Sequence, residues 1–136
     1  MNTYRKYKEQ SIYSMSGPEL LNLLFVEADR RLARAQLCLE QQQHEEFDAL
    51  MTKSGEIVQY LNRILNMKYP ISRDLRQIYT YLIYDISRVK AARERGQAEI
   101  GRIRHILSEL REGFEGAANQ VGSGTVHYAK PHEVRG

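Results

Sequence analysis

Residues 47–67 read FDALMTKSGEIVQYLNRILNM, and this stretch decides the predicted fold. At about 100° per residue, one apolar stripe is long enough to seat a helix on a core. It comprises Phe47, Leu50, Met51, Ser54, Val58, Leu61 and Leu65. A second stripe on an adjoining flank comprises Ile57, Tyr60, Ile64 and Met67. Because the first stripe already suffices for packing, the second predicts a docking surface for another chain.

Length and composition predict a single soluble domain. The chain has 136 residues, 42% of them apolar and 27% charged, which is typical of a globular protein with its own core. Glycine and proline concentrate outside the periodic segments, which favours helices. No apolar run approaches the roughly 18–20 residues that span a bilayer, and the N-terminal MNTYRKYKEQ lacks the apolar core of a signal peptide. We therefore expect a cytoplasmic protein without membrane insertion.

The charge pattern indicates a solvated helical surface rather than a nucleic-acid interface. The net charge is +3 and the pI is about 9.0. Basic residues are interleaved with acidic ones, as in the run Arg93-Glu94-Arg95. A mildly basic chain favours an acidic partner without requiring nucleic acid, so we expect no nucleic acid among the partners.

Periodicity predicts an all-α fold, an antiparallel four-helix bundle over residues 16–115. The predicted helices cover about residues 17–41, 45–67, 73–93 and 97–115. Ser16 and Glu19 form a capping box at the first helix, and Pro70 separates the second helix from the third. The last helix carries a heptad seam typical of a bundle, Ile100, Ile103, Leu107, Leu110 and Phe114. We expect an N-terminal arm over residues 1–15 and a flexible tail over residues 116–136.

Aromatic residues add to the predicted docking surface. In the third helix Tyr79 falls on the core stripe, whereas Tyr81 and Tyr84 fall well outside it and stand one turn apart. Tyrosine combines a large apolar area with a polar hydroxyl, which suits a surface that contacts water in the free protein and a partner in the complex. Two interpretations stay open: these tyrosines contact a partner, or they pack beneath an arm that a partner can displace. The large side chains of that arm are Tyr4, Tyr7 and Ile12.

No pattern of catalytic or metal-ligating residues stands out. A di-iron site in a bundle requires inward carboxylates and paired Glu-x-x-His motifs, whereas Glu40 and His44 have the wrong spacing and fall in a predicted turn. The single cysteine, Cys38, cannot form an internal disulfide and is interpreted as a packing residue rather than a nucleophile. We therefore expect no enzymatic activity, no cofactor and no metal site.

Short motifs follow one another in a fixed order along residues 4–115. They are Tyr4-x-x-Tyr7 with Ile12, Ser14-Met15-Ser16-Gly17-Pro18-Glu19-Leu20, Leu24-Phe25, Leu75-x-x-Ile78-Tyr79-Thr80-Tyr81-Leu82, and Leu110-Arg111-Glu112-Gly113-Phe114. Their order and spacing resemble the flagellar export chaperone family FliS, which has Thr-Ala-Ser-Pro-x-Glu-Leu, Leu-Tyr, Leu-x-x-Leu-Tyr-Asp-Tyr-Met and Leu-Arg-x-x-Trp in the later motifs. One departure is Tyr84-Asp85, which stands where the family has a basic pair.

The resemblance implies an antiparallel helical bundle without enzymatic activity. Members of the family bind the C-terminal segment of flagellin in the bacterial cytoplasm, which prevents premature polymerisation and keeps the subunit competent for flagellar type III secretion. On this interpretation the partner-binding residues are Ile57, Tyr60, Ile64, Met67, Tyr79 and Tyr81, and the displaceable arm carries Tyr4, Tyr7 and Ile12. The client supplies an amphipathic helix whose apolar face lies in a groove. A co-chaperone or an export-gate component is a further candidate partner.

Two alternatives stay open at this point. The first is a homodimeric structural bundle with a different protein client, in which the second stripes of two copies meet; the chaperone hypothesis expects a monomer or a weak homodimer. The second is a ferritin-like metal oxidase, which requires stoichiometric iron or manganese.

Overall fold

The computed structural model describes residues 17–93 and 96–121, with side chains described as far as residue 116. Within these residues the chain forms four helices, α1 (Gly17–Glu40), α2 (His44–Arg63), α3 (Ile71–Ala92) and α4 (Gly96–Val121). The all-α prediction is confirmed. The predicted arm, the cap at Ser16 and residues 122–136 of the predicted tail lie outside the described residues.

The four helices close a ring around one core. Each helix contacts its neighbours in the chain, and α4 returns to contact α1. The α1–α4 pair is antiparallel, because Gln36 bonds the Gln97 carbonyl while Asp29, earlier in α1, pairs with Arg104, later in α4. The largest fully buried side chains come from all four helices and include Phe25, Phe47, Tyr79, Leu82 and Ile103. Each buried apolar side chain of this size stabilises the fold by about 1.5–3 kcal/mol.

The first apolar stripe of α2 faces this core, as predicted. Its buried members are Phe47, Met51, Ser54, Val58, Leu61 and Leu65, and Leu50 is half-buried. The one polar member is satisfied locally, since the Ser54 hydroxyl donates a hydrogen bond of 2.9 Å to the Leu50 carbonyl oxygen. A buried hydroxyl with a partner avoids most of its desolvation cost.

The second helix is shorter than predicted. The periodicity predicted that it continues to residue 67, but α2 ends at Arg63. Two side chains fix the turn that follows: the Asn66 Oδ1 accepts from the Lys68 N–H at 3.0 Å, and the Ser72 hydroxyl donates to the Asn66 carbonyl oxygen at 2.7 Å. These bonds offer the backbone an alternative to the helical ladder. The third helix begins directly after Pro70, slightly earlier than predicted.

The fourth helix is longer than predicted. Its heptad seam points inward, with Ile100, Ile103 and Leu107 buried, and the ring of Phe114 lies 5.7 Å from that of Phe25 of α1, centroid to centroid. The predicted end at residue 115 is wrong, because α4 continues to Val121. A single glycine such as Gly116 costs a helix only about 1 kcal/mol relative to alanine.

The α1–α2 turn places a residue other than glycine in the left-handed region. Gln42 has φ 60°, its N–H donates to the Leu39 carbonyl at 3.2 Å, and the Gln43 N–H donates to the Cys38 carbonyl at 2.8 Å. This is the hydrogen-bond pattern of a Schellman motif, which glycine usually completes.

Gln42→Gly should therefore stabilise the protein. A left-handed residue with a Cβ costs about 1–2 kcal/mol, part of which is offset by the extra entropy that glycine gives the unfolded chain. We expect a gain of about 0.5–1 kcal/mol in the free energy of unfolding, measured by urea denaturation with circular dichroism. The control Gln41→Gly, at a residue without positive φ, should not stabilise. Equal effects of the two substitutions would contradict the prediction.

Candidate protein-docking site

The second stripe of α2 lies along the seam between α1 and α2. Glu46 marks this side of α2, because its Oε2 accepts a hydrogen bond of 2.8 Å from Arg34 Nε of α1, an interaction that lowers the pKa of the Glu46 carboxyl. Ile57 and Ile64 follow Glu46 by about three and about five helical turns, so they share its side of the helix. We refer to Ile57, Tyr60, Ile64 and Met67 as the α2 stripe.

The α2 stripe is partly covered and partly open. Ile57, Tyr60 and Ile64 are half-buried, and the two isoleucines pack against the core. Met67 is 41% exposed and lies beyond the end of α2, in the turn to α3. The structure therefore leaves all four predicted residues partly accessible, with Ile57 and Ile64 on the α1 side of α2 and Met67 beyond the end of that helix.

A cation borders this apolar edge. The guanidinium carbon of Arg63 lies 5.4 Å from the centroid of the Tyr60 ring, which is the distance of a cation–π contact. Tyr60 thus combines an apolar ring with a neighbouring cation. Such a combination of apolar anchor and polar border is typical of protein interfaces.

The two predicted tyrosines of α3 do not join the α2 stripe. Tyr79 is fully buried and belongs to the core, so its ring is inaccessible to a partner in this monomer. Tyr81 is 46% exposed but lies at the α3–α4 seam, where Arg102 of α4 donates a hydrogen bond to its hydroxyl and lies 5.8 Å from its ring centroid. The α1–α2 and α3–α4 seams are on opposite sides of the ring of helices. Tyr84, one turn further, is also exposed.

A buried carboxylate organises the α3–α4 seam. Asp85 is 2% exposed and accepts hydrogen bonds from Arg88 of its own helix at 2.8 Å and from Arg102 of α4 at 2.7 Å. Arg88 also donates to both oxygens of Glu99, at 2.8 and 2.9 Å. A buried charge is tolerated when it is paired in this way. Because Arg102 also holds Tyr81, the network fixes the position of an exposed tyrosine.

Sequence reasoning missed this network. In the sequence Asp85 stands out as a departure from the family pattern; it also directly precedes Ile86 of the core stripe and has an arginine three residues later. A carboxylate at the margin of a core stripe with an arginine at i+3 is the signal that was available. Its partners on α4 could be identified only once the helices were packed.

The remaining chemistry-bearing residues form no reactive centre in the described part of the chain. Burial raises the pKa of the Cys38 thiol, whose Sγ lies 3.7 Å from Gln43 Oε1, and a thiol that resists ionisation is a poor nucleophile. Over residues 17–93 and 96–121, no three His, Cys, Asp or Glu side chains lie close enough together to hold a metal ion. None of the four described helices has the length and hydropathy needed to cross a membrane.

The chain matches a known protein family over most of its length. A family model described as "Flagellar protein FliS" matches residues 1–121. The match spans all four helices and ends with α4. No curated protein matches the chain.

The Asp85 network makes a specific prediction for acid unfolding. Hydrogen bonds from Arg88 lower the pKa of Glu99 from its ordinary value of 4.5. A lowered pKa means that the carboxylate stabilises the fold above its unfolded pKa, and that this contribution is lost as the pH falls through the folded value. Glu99→Gln should therefore lose less stability than the wild type between about pH 5 and pH 3, as measured by urea midpoints.

The matched control for this experiment is Glu56→Gln. It removes the same charge from an exposed side chain outside the network, whose ion pair with Lys53 spans 3.7 Å. The control should keep the acid dependence of the wild type. If Glu99→Gln keeps it too, the network does not contribute to stability in the way described.

Proposed function

The chain belongs to the FliS family of flagellar export chaperones, and from this membership we propose that it binds the C-terminal segment of flagellin in the cytoplasm. Covering that segment prevents premature polymerisation and keeps the subunit competent for flagellar type III secretion. The family consists of chaperones that bind flagellar proteins, not of enzymes. The flagellin segment, the cytoplasmic location and the residues of contact are our proposal.

One observation supports the proposed site above the others. The α2 stripe remains half open after the bundle has closed, with Met67 at its exposed end. An apolar seam between two helices suits an amphipathic client helix, whose apolar residues at i, i+3 and i+7 lie against the seam. Binding would complete the burial of side chains that the monomer covers only in part, which is a favourable source of free energy.

The client must also be ordered on binding. A segment that folds as it binds loses several kcal/mol of the gross interaction energy, about 2–5, to ordering. Apolar contact along the stripe has to exceed this cost, and the Arg63–Tyr60 pair at the rim offers an additional polar contact. A client carboxylate near Arg63 would gain from that position.

A client that also uses Tyr81 has to be extended. Tyr81 lies at the α3–α4 seam, whereas the α2 stripe lies at the α1–α2 seam on the other side of the ring. One compact helix cannot cover both edges. We therefore propose that the client contacts the α2 stripe with a helix and reaches Tyr81 only by continuing around the bundle.

Ile64→Asp should abolish or strongly weaken binding of a flagellin C-terminal peptide. A carboxylate placed in an apolar contact costs more than about 1.4 kcal/mol of binding free energy, and this energy corresponds to a tenfold loss of affinity. Because the position is half-buried, the substitution should lower the free energy of unfolding by only about 1 kcal/mol, so the helical melt stays close to that of the wild type.

Met67→Asp repeats the test in the exposed turn, where the substitution does not threaten folding. Affinity is measured by titration calorimetry.

Leu37→Asp is the matched control for these variants. Leu37 is 46% exposed and lies on α1 outside the α2 stripe, so this substitution adds the same charge to an exposed apolar position elsewhere. It should retain the affinity of the wild type. Unchanged affinity of both Ile64→Asp and Met67→Asp would refute the docking site. Co-purification with flagellin that lacks its C-terminal segment would instead refute the proposed client segment.

A further inference from the structure

The segment between α2 and α3 concentrates the positive charge of this protein. Residues 63–76 read RILNMKYPISRDLR and contain four basic side chains and one carboxylate, that of Asp74. The resulting net charge of +3 equals the formal net charge of the whole chain, so the charges in the rest of the chain balance one another. We refer to the four cations as the basic patch, which comprises Arg63, Lys68, Arg73 and Arg76.

The cations of the basic patch face solvent without a counter-ion. All four are exposed, and over the described residues none of them forms an ion pair, with Asp74 or with any other carboxylate. Arg34, Arg93 and Arg102 of the same bundle, by contrast, each pair with a carboxylate at 2.7–2.8 Å. Like charges that stand close together repel one another, and a bound anion relieves this repulsion.

The packing of α2 on α3 brings the two ends of the patch together. A seven-residue link joins the two helices, which pack side by side in antiparallel directions. Gly55 of α2 faces the Ile86 side chain of α3. Eight residues further along, Arg63 therefore stands level with residue 78, which is about 3 Å along the axis from Arg76. Cations from both helices thus border the same part of the α2–α3 seam.

The link that carries the rest of the patch is held in one conformation. The Asn66 carbonyl oxygen accepts from the Tyr69 N–H at 3.2 Å and from the Ser72 hydroxyl at 2.7 Å. Leu65 and Leu75, on either side of the link, are buried and anchor it to the core. A surface that is ordered before binding loses less conformational entropy when a partner docks.

Two exposed apolar side chains lie among these cations. Met67 is 41% exposed and Ile71 is 42% exposed, and both are aliphatic. Methionine and arginine are enriched in protein interfaces, where apolar contacts are bordered by polar and charged groups. The patch therefore offers charge and apolar area to the same partner.

We propose that the basic patch binds an acidic segment of a protein partner. Carboxylates of the segment accept hydrogen bonds from the four cations, and an aliphatic side chain of the segment packs on Met67 and Ile71. Three of the four cations are arginines, which bind carboxylates through two parallel hydrogen bonds. The patch begins where the α2 stripe ends and shares Met67 with it, but the proposal does not depend on flagellin being the client.

The surroundings of the patch favour an acidic peptide over two other anionic partners. A flat membrane would meet the whole end of the bundle, where the exposed Glu112 and Glu115 of α4 also lie, and anionic lipids would repel them. Single-stranded nucleic acid binds through bases that stack on aromatic side chains, whereas the exposed apolar side chains of this patch, Met67 and Ile71, are aliphatic. A peptide can contact the patch alone.

The probe for this surface is the peptide N-acetyl-Asp-Glu-Leu-Asp-Glu-Leu-amide, added at millimolar concentration to the isotope-labelled full chain. It supplies carboxylates and aliphatic side chains and contains no flagellin sequence. In NMR spectra we expect saturable shifts of the Lys68 and Arg73 amides and of the Ile71 methyl groups. Raising the salt from about 0.01 M to about 0.1 M shortens the Debye length from about 30 Å to about 10 Å and should weaken binding several-fold. The neutral analogue N-acetyl-Asn-Gln-Leu-Asn-Gln-Leu-amide should bind at least several-fold more weakly.

The double variant Arg73→Glu with Arg76→Glu should lower the affinity for the probe at least tenfold. Both positions are exposed in the first turns of α3, where acidic residues favour the helix, so the circular dichroism spectrum should stay that of the wild type. The matched control is Arg30→Glu with Lys53→Glu, which changes the net charge equally at side chains that are 73% and 65% exposed. The control should keep the affinity. Ile71→Ser should weaken binding several-fold, because it removes an aliphatic contact.

Several results would overturn the proposal. They are the absence of shifts at millimolar probe, equal binding of the neutral analogue, equal losses in the two double variants, and unchanged affinity of Ile71→Ser. Vesicles of phosphatidylcholine with phosphatidylserine and a six-nucleotide oligothymidine test the other anionic partners. Tighter binding of either one than of the acidic peptide would assign the patch to a membrane or to nucleic acid instead. None of these outcomes bears on the α2 stripe, whose test is the affinity of Ile64→Asp for the flagellin segment.

Discussion

The rotation of α2 about its own axis is the constraint on which the rest of the site depends. Complete burial of Phe47, Met51, Val58 and Leu61 leaves that helix one orientation, since turning it would expose side chains worth about 1.5–3 kcal/mol each. In that orientation Ile57 and Ile64 fall on the α1 side, where the neighbouring helix covers them only in part. The exposed apolar edge is therefore a consequence of how the core is filled.

Polar contacts select the register in which the helices meet. Arg34–Glu46 ties α1 to α2, Asp29–Arg104 ties α1 to α4, and the Asp85 network ties α3 to α4. Exposed ion pairs of this kind stabilise a fold little, about 0–1 kcal/mol. The pairing of a buried carboxylate such as Asp85 is different, because any register that separates it from its arginines leaves a buried charge without a partner. Apolar burial thus provides most of the stability, and charge complementarity restricts the arrangement.

Periodicity alone was enough to predict the helices and their buried faces. The apolar stripe of α2 and the heptad seam of α4 repeat over several turns, so a single residue that departs from the pattern does not change the prediction of a helix. Helix ends were predicted less well because they depend on individual hydrogen bonds: Asn66 and Ser72 stop α2 before residue 67, and α4 passes through Gly116.

The residues of the candidate site were only partly predictable from the sequence. The four residues of the α2 stripe share one helix, so their proximity follows from spacing. Tyr79 and Tyr81 stand two residues apart and therefore point in different directions, one into the core and one towards Arg102. Contacts such as Asp85–Arg102 and Asp29–Arg104 join distant parts of the chain, so no local sequence pattern predicts them.

The most direct test of the central claim is an NMR titration of the chain, labelled at isoleucine methyl groups, with the flagellin C-terminal segment. Ile57 and Ile64 report from the α2 stripe, and the buried Ile86, Ile100 and Ile103 report from the core. The account predicts large shifts at Ile57 and Ile64 and small ones at the three core residues. Binding without a response at Ile57 and Ile64 would contradict it.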